Sequence, residues 1–381
     1  MKNKLKKLIR IFKISLFFLP PKKCDLLIFD RTGSYVFKKY LINLNYQILD
    51  TRLESLNIFI LFRSLLKYKL KFNLLFYFIE YIEYSKSTVV VTFIDNYINY
   101  YNLKKYLQSV KFISIQNGMR TKYFFDDLKK YNDLKIDLFL TFNDFYSQEF
   151  SKKIEGNYSV IGSFLSNQIS IKKDKLNFVN YISSGPETLE TIKIYQDKSI
   201  NTQKYYLPEK FCINLIKNYC IKNDLKLNIL GRATSLYSKK IEKKFYSDIL
   251  GDYHFNYVEF ENENKDKRYQ ICDNAQINFC IYSALGLEIL SRCAKTYIFN
   301  YRDNATGFSS LNIFWPLEIS PEGDFWTSSK NEKKIHNCID SIIKTSDEEW
   351  KKNINKKFNN LIKFDYDNQI FIRKIKDLLN E

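Results

Sequence analysis

Short apolar runs, each ending on polar or glycine residues and followed by a helical pattern, recur along the chain. In the first half they are CDLLIFDRTGS (24–34), with a strand ending at Asp30, and STVVVTFIDN (87–96), a β-branched strand ending at Asp95 and Asn96. VKFISIQNG (110–118), DLFLTFND (137–144) and YSVIGS (158–163) follow. Between them lie amphipathic stretches such as 97–109, with Tyr, Leu and Lys at helical spacing. Continuous apolar strands alternating with helices predict a parallel sheet covered on both faces.

After a polar stretch at 169–176, which reads as a linker, the alternation starts again. NFVNYISSGPET (177–188) opens it, and a long helix over 207–222 leads to LKLNILGRATS (225–235). FNYVEF (255–260), helical KDKRYQICDNA, QINFCIYS (276–283), the helix ALGLEILSRC and KTYIFNYRD (295–303) complete it. The expectation is an α/β architecture: two Rossmann-like domains joined by the linker, whose parallel sheets face a central cleft. Its parts are a basic amphipathic segment (1–23), an N-terminal domain (24–170), a C-terminal domain (177–340) and a helical tail (341–381). The most apolar region, 56–84, is interrupted by Arg63, Lys67, Lys69 and Lys71, and therefore predicts one or two helices, with a face that could bind a surface, and no membrane span.

Charge changes the picture locally. The 381 residues carry a formal net charge of +18, which favours polyanions such as nucleic acid, anionic headgroups or phosphorylated substrates. Residues 1–23 place eight Lys and Arg among Leu, Ile and Phe with no acidic residue. As a helix this segment would lie on a membrane surface, or pack on its own domain. Aromatic content is 17%, a mixture AT-rich codons favour, so it adds little to a nucleic-acid reading; the basic residues are scattered and no RNA- or DNA-binding motif appears. Seven cysteines without a CxxC, beside two histidines, argue against a Cys/His zinc site and for a reducing, cytoplasmic compartment, with Cys272 and Cys280 as buried thiols.

In open α/β sheets the residues beyond the strand ends carry the chemistry. In INFCIYSALGLE the strand ends at Tyr282, and Ser283 can cap a helix whose first amides, at Ala284, Leu285 and Gly286, suit a phosphate. The missing side chain of Gly286 would allow close approach, and Glu288 could reach a sugar hydroxyl; an ordinary helix start has the same look. Gly231 and Arg232 follow another strand, where an arginine can fork onto a diphosphate or simply be solvated. Asp95, and its rival Asp30, are candidate general bases, and also ordinary strand-end or capping aspartates. Gln116, Asn117 and Arg120 could bond a sugar or phosphate-bearing acceptor, against a plain Asn-Gly turn. Asp365–Asp367 (DYD) resembles a metal motif in a polar tail and is not assigned one.

VVVTFIDN with FISIQNGMR, then DLFLTFND, VIGSFLSN, SALGLEILSRCAKTYIFN and GDFW, resembles surface-carbohydrate (O-antigen) biosynthesis proteins of the GT-B glycosyltransferase type over most of residues 85–330. More distantly it is similar to CDP-glycerol and polysialic-acid transferases, whose first motif usually carries a histidine where this chain has Asn117. The resemblance implies a metal-independent glycosyltransferase with no cofactor beyond its nucleotide-sugar co-substrate. The donor would bind the C-terminal half and a saccharide or lipid-linked acceptor the N-terminal half. It implies a cytoplasmic enzyme held peripherally at the inner face of the membrane, with no nucleic-acid partner. Phe325 and Trp326 of GDFWTSS could line the cleft, although an aromatic pair is more often core. A polyol-phosphate transferase or nucleotide-sugar epimerase on the same fold, and a non-enzymatic basic binding protein, are the alternatives.

Overall fold

The computed structural model describes residues 15–380 except 53, 172–173, 175, 187–190, 196–197, 261–264, 309–310, 316–318 and 359–361. Most of the basic N-terminal segment, residues 1–14, therefore lies outside the described residues. The chain divides into two compact units. One comprises 1–117, 128–164 and 368–381; the other comprises 118–127 and 165–367.

The first unit holds a six-stranded parallel sheet: β1 (Leu26–Phe29), β2 (Tyr46–Leu49), β3 (Val89–Thr92), β4 (Lys111–Ile115), β5 (Leu134–Thr141) and β6 (Ile154–Val160). Their spatial order is β2-β1-β3-β4-β5-β6, every pairing parallel. Strands β1 and β3 are buried along their whole length, which is why they read as unbroken apolar runs. The apolar region 56–84 forms two helices, Ile58–Lys67 and Leu74–Ser85. Among the described residues no helix is long and apolar enough to cross a membrane. The chain end does not stay with the tail expected at 341–381: Gln369–Asn380 returns to the first unit, where Phe371 packs against Phe37, Tyr40 and Phe164. The apolar ring, which a polar-looking tail hides in sequence, is what draws it back.

The second unit holds β7 (Phe178–Ile182), β8 (Lys226–Leu230), β9 (Asn256–Val258), β10 (Ile277–Cys280), β11 (Thr296–Phe299) and β12 (Trp326–Thr327). The order β9-β8-β7-β10-β11-β12, all parallel, is the 3-2-1-4-5-6 arrangement of dinucleotide-binding sheets. A ladder of asparagines fixes its register. Asn256 donates to Asn228 (3.1 Å), Asn228 to Asn180 (3.1 Å), and Asn180 to Asn278 (2.8 Å), across four neighbouring strands. Asn278 then donates to the carbonyls of Cys272 and Lys295. A one-residue slip would strand buried amides without partners, so the carboxyl ends of these strands are held level.

Phe325 and Trp326 are core residues, 1% and 7% exposed. Phe325 packs on Trp350, Trp326 on Phe314, and the indole N–H donates to the Ser320 carbonyl, so the pair does not line an open surface. Cys272 and Cys280 are buried thiols; burial pushes Cys280 up to about 12.

Candidate functional site

In the second unit the strand order reverses between β7 and β10, the point where open sheets of this type bind ligands. Two helices each send a carboxylate beneath the loops there. From Thr202–Asn223 comes Glu209, fully buried, which accepts from Tyr181 Oη (3.1 Å), Ser184 Oγ (2.7 Å), Tyr246 Oη (3.3 Å) and Arg302 Nη2 (3.0 Å). From Leu236–Leu250 comes Glu242, also fully buried. It accepts from Ser183 Oγ, Tyr257 Oη (2.7 Å) and the backbone amides of Arg232 (3.0 Å) and Ala233 (2.9 Å). Burial, reinforced by the neighbouring carboxylates, raises the Tyr181, Tyr246 and Tyr257 phenols well above their ordinary range, so they stay protonated donors.

Arg302 spans this point. It follows β11 and is 1% exposed; Nη2 also reaches Ser184 Oγ at the end of β7 (2.9 Å) and Nη1 reaches Tyr205 Oη (3.1 Å). The guanidinium lies over the rings of Tyr205 (4.1 Å) and Tyr282 (5.7 Å), and its buried Nε has no hydrogen-bond partner among the described residues.

The predicted donor residues fall around this cluster with different duties. Gly231 is a packing glycine: a Cβ would run into the Tyr257 phenol that bonds Glu242. Arg232 is exposed, its backbone amide taken by Glu242, and Nη1 donates to the Ser184 carbonyl (3.0 Å). It stretches over Gly185, whose φ of +77° suits glycine. The helix Ala284–Ser291 begins at Ser283 without a side-chain cap bond. By contrast Asn57, Asn73, Asn143, Asn201, Ser235 and Asn331 all cap their helices through the side chain. The amides of Ala284 and Leu285 make no hydrogen bond among the described residues, whereas Gly286 N–H donates to the Ser283 carbonyl (3.0 Å). Gly286 lacks a side chain where a Cβ would strike Cys280 Sγ, so it allows close helix–strand packing. Glu288 is buried and accepts from Tyr269 Oη (2.7 Å).

In the first unit the order reverses between β1 and β3, and Asp30 and Asp95 stand beyond the ends of those two neighbouring strands. Both are committed within the chain. Asp30, 3% exposed, accepts from Thr32 N (2.7 Å), Thr51 Oγ1 (2.8 Å) and Arg52 Nε (3.0 Å). Arg31 forks reciprocally onto Asp50 at 2.6 and 3.0 Å, so the ends of β1 and β2 are cross-pinned. Asp95 is 0% exposed and its Oδ1 accepts the Asn117 amide (3.1 Å), tying the loop after β4 to the end of β3. Gln116, 1% exposed, extends the β4–β5 ladder: its amide donates to Leu140 O and its Oε1 accepts Phe142 N–H, both at 2.9 Å. Asn117 and Arg120 are half-buried. Arg120 belongs with the second unit, where its guanidinium lies over Phe124 (5.5 Å) and donates to the Met119 carbonyl (3.0 Å).

Sequence reasoning did not find Glu209, Glu242 or Arg302. A signal was present: Glu242, Tyr246 and Leu250 form one i, i+4, i+8 stripe, and Glu209 shares a stripe with Cys212, Ile213 and Ile216, so each glutamate interrupts an apolar face. Among the described residues no group of three or more His, Cys, Asp and Glu could hold a metal ion. Asp365 and Asp367 stand at the passage from the second unit to the first.

Two Rossmann-type parallel sheets in separate units define a GT-B protein, and comparison with solved structures agrees. A Staphylococcus aureus MnaA–UDP structure is 13% identical, with TM-score 0.51 over 94% of this chain and 97% of that one. The wall teichoic acid polymerase TagF, in a structure with CDPG, is 12% identical, with TM-score 0.50 over 94% and 88% of the two chains. The UDP-GlcNAc 2-epimerase of Methanocaldococcus jannaschii is 11% identical, with TM-score 0.50 over 92% and 99%. At such identities the likeness defines the fold alone. Residues 113–379 match the family described as "putative O-antigen biosynthesis protein", and the chain belongs to that family. A comparison with curated protein sequences finds no match.

Proposed function

We propose that the chain is a glycosyltransferase moving a sugar from a nucleotide-sugar donor onto a surface-polysaccharide acceptor, O-antigen or capsule, carried on a lipid. The observation that carries this is the β7/β10 switch point, where a helix opens with its Ser283 cap unmade beside the buried, partly unpaired Arg302. Family membership points the same way, and the CDPG and UDP that accompany two similar structures fit a nucleotide-linked donor.

In this reading Ser283 Oγ, the amides of Ala284 and Leu285 and the exposed guanidinium of Arg232 face the donor diphosphate. The bond between the anomeric carbon and the diphosphate oxygen breaks, and its electron pair leaves on the nucleoside diphosphate. These donors offset that charge without a metal ion. The acceptor hydroxyl oxygen forms the new bond and its proton passes to a carboxylate, Asp95 or Asp30. At 0% and 3% exposure each must first be released, Asp95 by movement of the loop at Asn117 and Asp30 from Arg52. Asn117 and Arg120 contact the acceptor, while Gln116 holds the strand end beneath them. Gly231, Gly286 and Glu288 support the donor loops through packing. No further cofactor and no nucleic acid takes part, and the enzyme works at the inner face of the cytoplasmic membrane.

The test is incubation of the full chain with nucleotide-sugars and a membrane lipid extract, with and without chelator, followed by mass spectrometry. Release of nucleoside diphosphate together with a lipid product heavier by one sugar, in the presence of chelator, is expected. An epimerised nucleotide-sugar, transfer of a polyol phosphate, or no turnover of any donor would overturn it.

A further inference from the structure

Among the described residues, eight of the eighteen exposed large hydrophobics fall in two short stretches, 16–19 and 62–72. The first is a strand, Ser15–Phe17, paired in parallel with Ser55–Asn57, after which Asn57 Nδ2 donates to the Leu19 carbonyl (2.8 Å). Asn57 also caps the helix Ile58–Lys67, so both stretches meet at the start of that helix. The helix buries Ile60 and Ser64 on its inner face; Phe62 and Leu66, one turn apart, are 62% and 75% exposed on the outer one. The core does not need these two side chains.

At the far end of the helix the sequence Lys69-Leu70-Lys71-Phe72 forms a built tip. Lys69 and Leu70 both take positive φ (54° and 62°), Leu70 N–H donates to the Leu65 carbonyl (2.6 Å), and Tyr68 stacks on Phe76 at 4.1 Å. This bend leaves Leu70 at 75% and Phe72 at 59% exposure, alternating with two exposed lysines. Arg63 and Lys67 are neutralised by Glu80 and Glu83, but Lys22, Lys69 and Lys71 have no acidic partner among the described residues. Apolar side chains interleaved with uncompensated ammonium groups match a headgroup layer that is negative at its surface and apolar just below.

We propose that this face of the first unit, the outer side of helix Ile58–Lys67 with the tip 69–72 and the strand segment 16–19, docks on an anionic phospholipid bilayer. Phe62, Leu66, Leu70 and Phe72 enter the interface and Lys69 and Lys71 stay at phosphate level. The proposal deepens the membrane location within the functional reading above, and its readout does not depend on catalysis.

The experiment is co-sedimentation of the full chain with phosphatidylcholine vesicles containing or lacking phosphatidylglycerol, at low and high salt. Binding to the phosphatidylglycerol vesicles alone, weakened by salt, is expected. The combined variant Leu70→Ser/Phe72→Ser, exposed and so unchanged in melting temperature, should bind about tenfold or more weakly, since each apolar side chain contributes through its buried area. Phe72→Trp should show blue-shifted emission on adding the same vesicles. Wild-type protein that ignores phosphatidylglycerol, or a Leu70→Ser/Phe72→Ser protein that binds as wild type, would overturn it. So would a concentration-dependent dimer in sedimentation velocity that the same two substitutions abolish, because the face would then belong to a second copy. A protein that binds donor nucleotide yet ignores vesicles refutes only this proposal; one that binds vesicles without nucleotide refutes only the functional reading.

Discussion

Replacing Glu209 by Gln removes the charge beneath the β7/β10 switch point while keeping the shape of the side chain. In the native protein one Glu209 oxygen pairs with Arg302 at 3.0 Å, the two side chains being 0% and 1% exposed. The other gathers Tyr181, Ser184 and Tyr246. Breaking a buried pair by removing one partner costs about 3–5 kcal/mol, because the remaining guanidinium is left uncompensated in a dry site. For a unit of this size, at about 2–4 °C per kcal/mol, that lowers its melting temperature by roughly 6–20 °C. Urea unfolding followed by circular dichroism, with the two units analysed as separate transitions, measures the cost. The double variant Glu209→Gln/Arg302→Met should lose less than the sum of the two single variants, since the stranded charge goes with its partner. A single-variant cost under about 1 kcal/mol, or strict additivity, would refute the argument that this pair organises the site.

Further outcomes follow from individual contacts. Ser283→Ala should leave stability within about 0.5 kcal/mol, since Ser283 makes no cap bond, yet weaken nucleotide affinity. Ser235→Ala should cost about 1 kcal/mol, because Ser235 accepts from the Ser238 amide; equal costs in urea titrations would contradict both statements. Gly286→Ala should destabilise by about 1–3 kcal/mol through its clash with Cys280, and Cys280→Ala in the same chain should relieve it; a neutral Gly286→Ala in thermal melts would dismiss the packing role. Arg120→Ala should abolish transfer with the circular dichroism melt unchanged, and an active Arg120→Ala enzyme would remove it from the acceptor site.

Most strands of both sheets were legible because burial on two faces leaves continuous apolar runs, whereas their spatial order rests on pairings between distant segments that alternation with helices does not encode. β2 escaped because Tyr46, Gln47 and Ile48 are only half-buried at a sheet edge, so YQIL lacks that signature. Strand-end residues were found by position, but their bonding partners were not. Asp30 and Asp95, read as candidate general bases or ordinary strand-end aspartates, and Gln116, read as an acceptor contact or part of a plain turn, are each bonded to a loop distant in sequence that no local pattern reveals. Glu209 and Glu242 were hidden for the opposite reason: a glutamate among lysines on a helix reads as solvated until its apolar neighbours at i+4 are counted.

In the proposed reading the second unit binds the diphosphate of a nucleotide-linked donor through chain groups alone. Thermal shift of the full chain against UDP, GDP, CDP, CMP, dTDP and their sugars, with and without Mg²⁺ or chelator, decides it. Selective stabilisation by one nucleoside diphosphate and its sugars, indifferent to chelator and reduced in Ser283→Ala, is expected. No shift with any nucleotide, or a shift that vanishes with chelator, would contradict it.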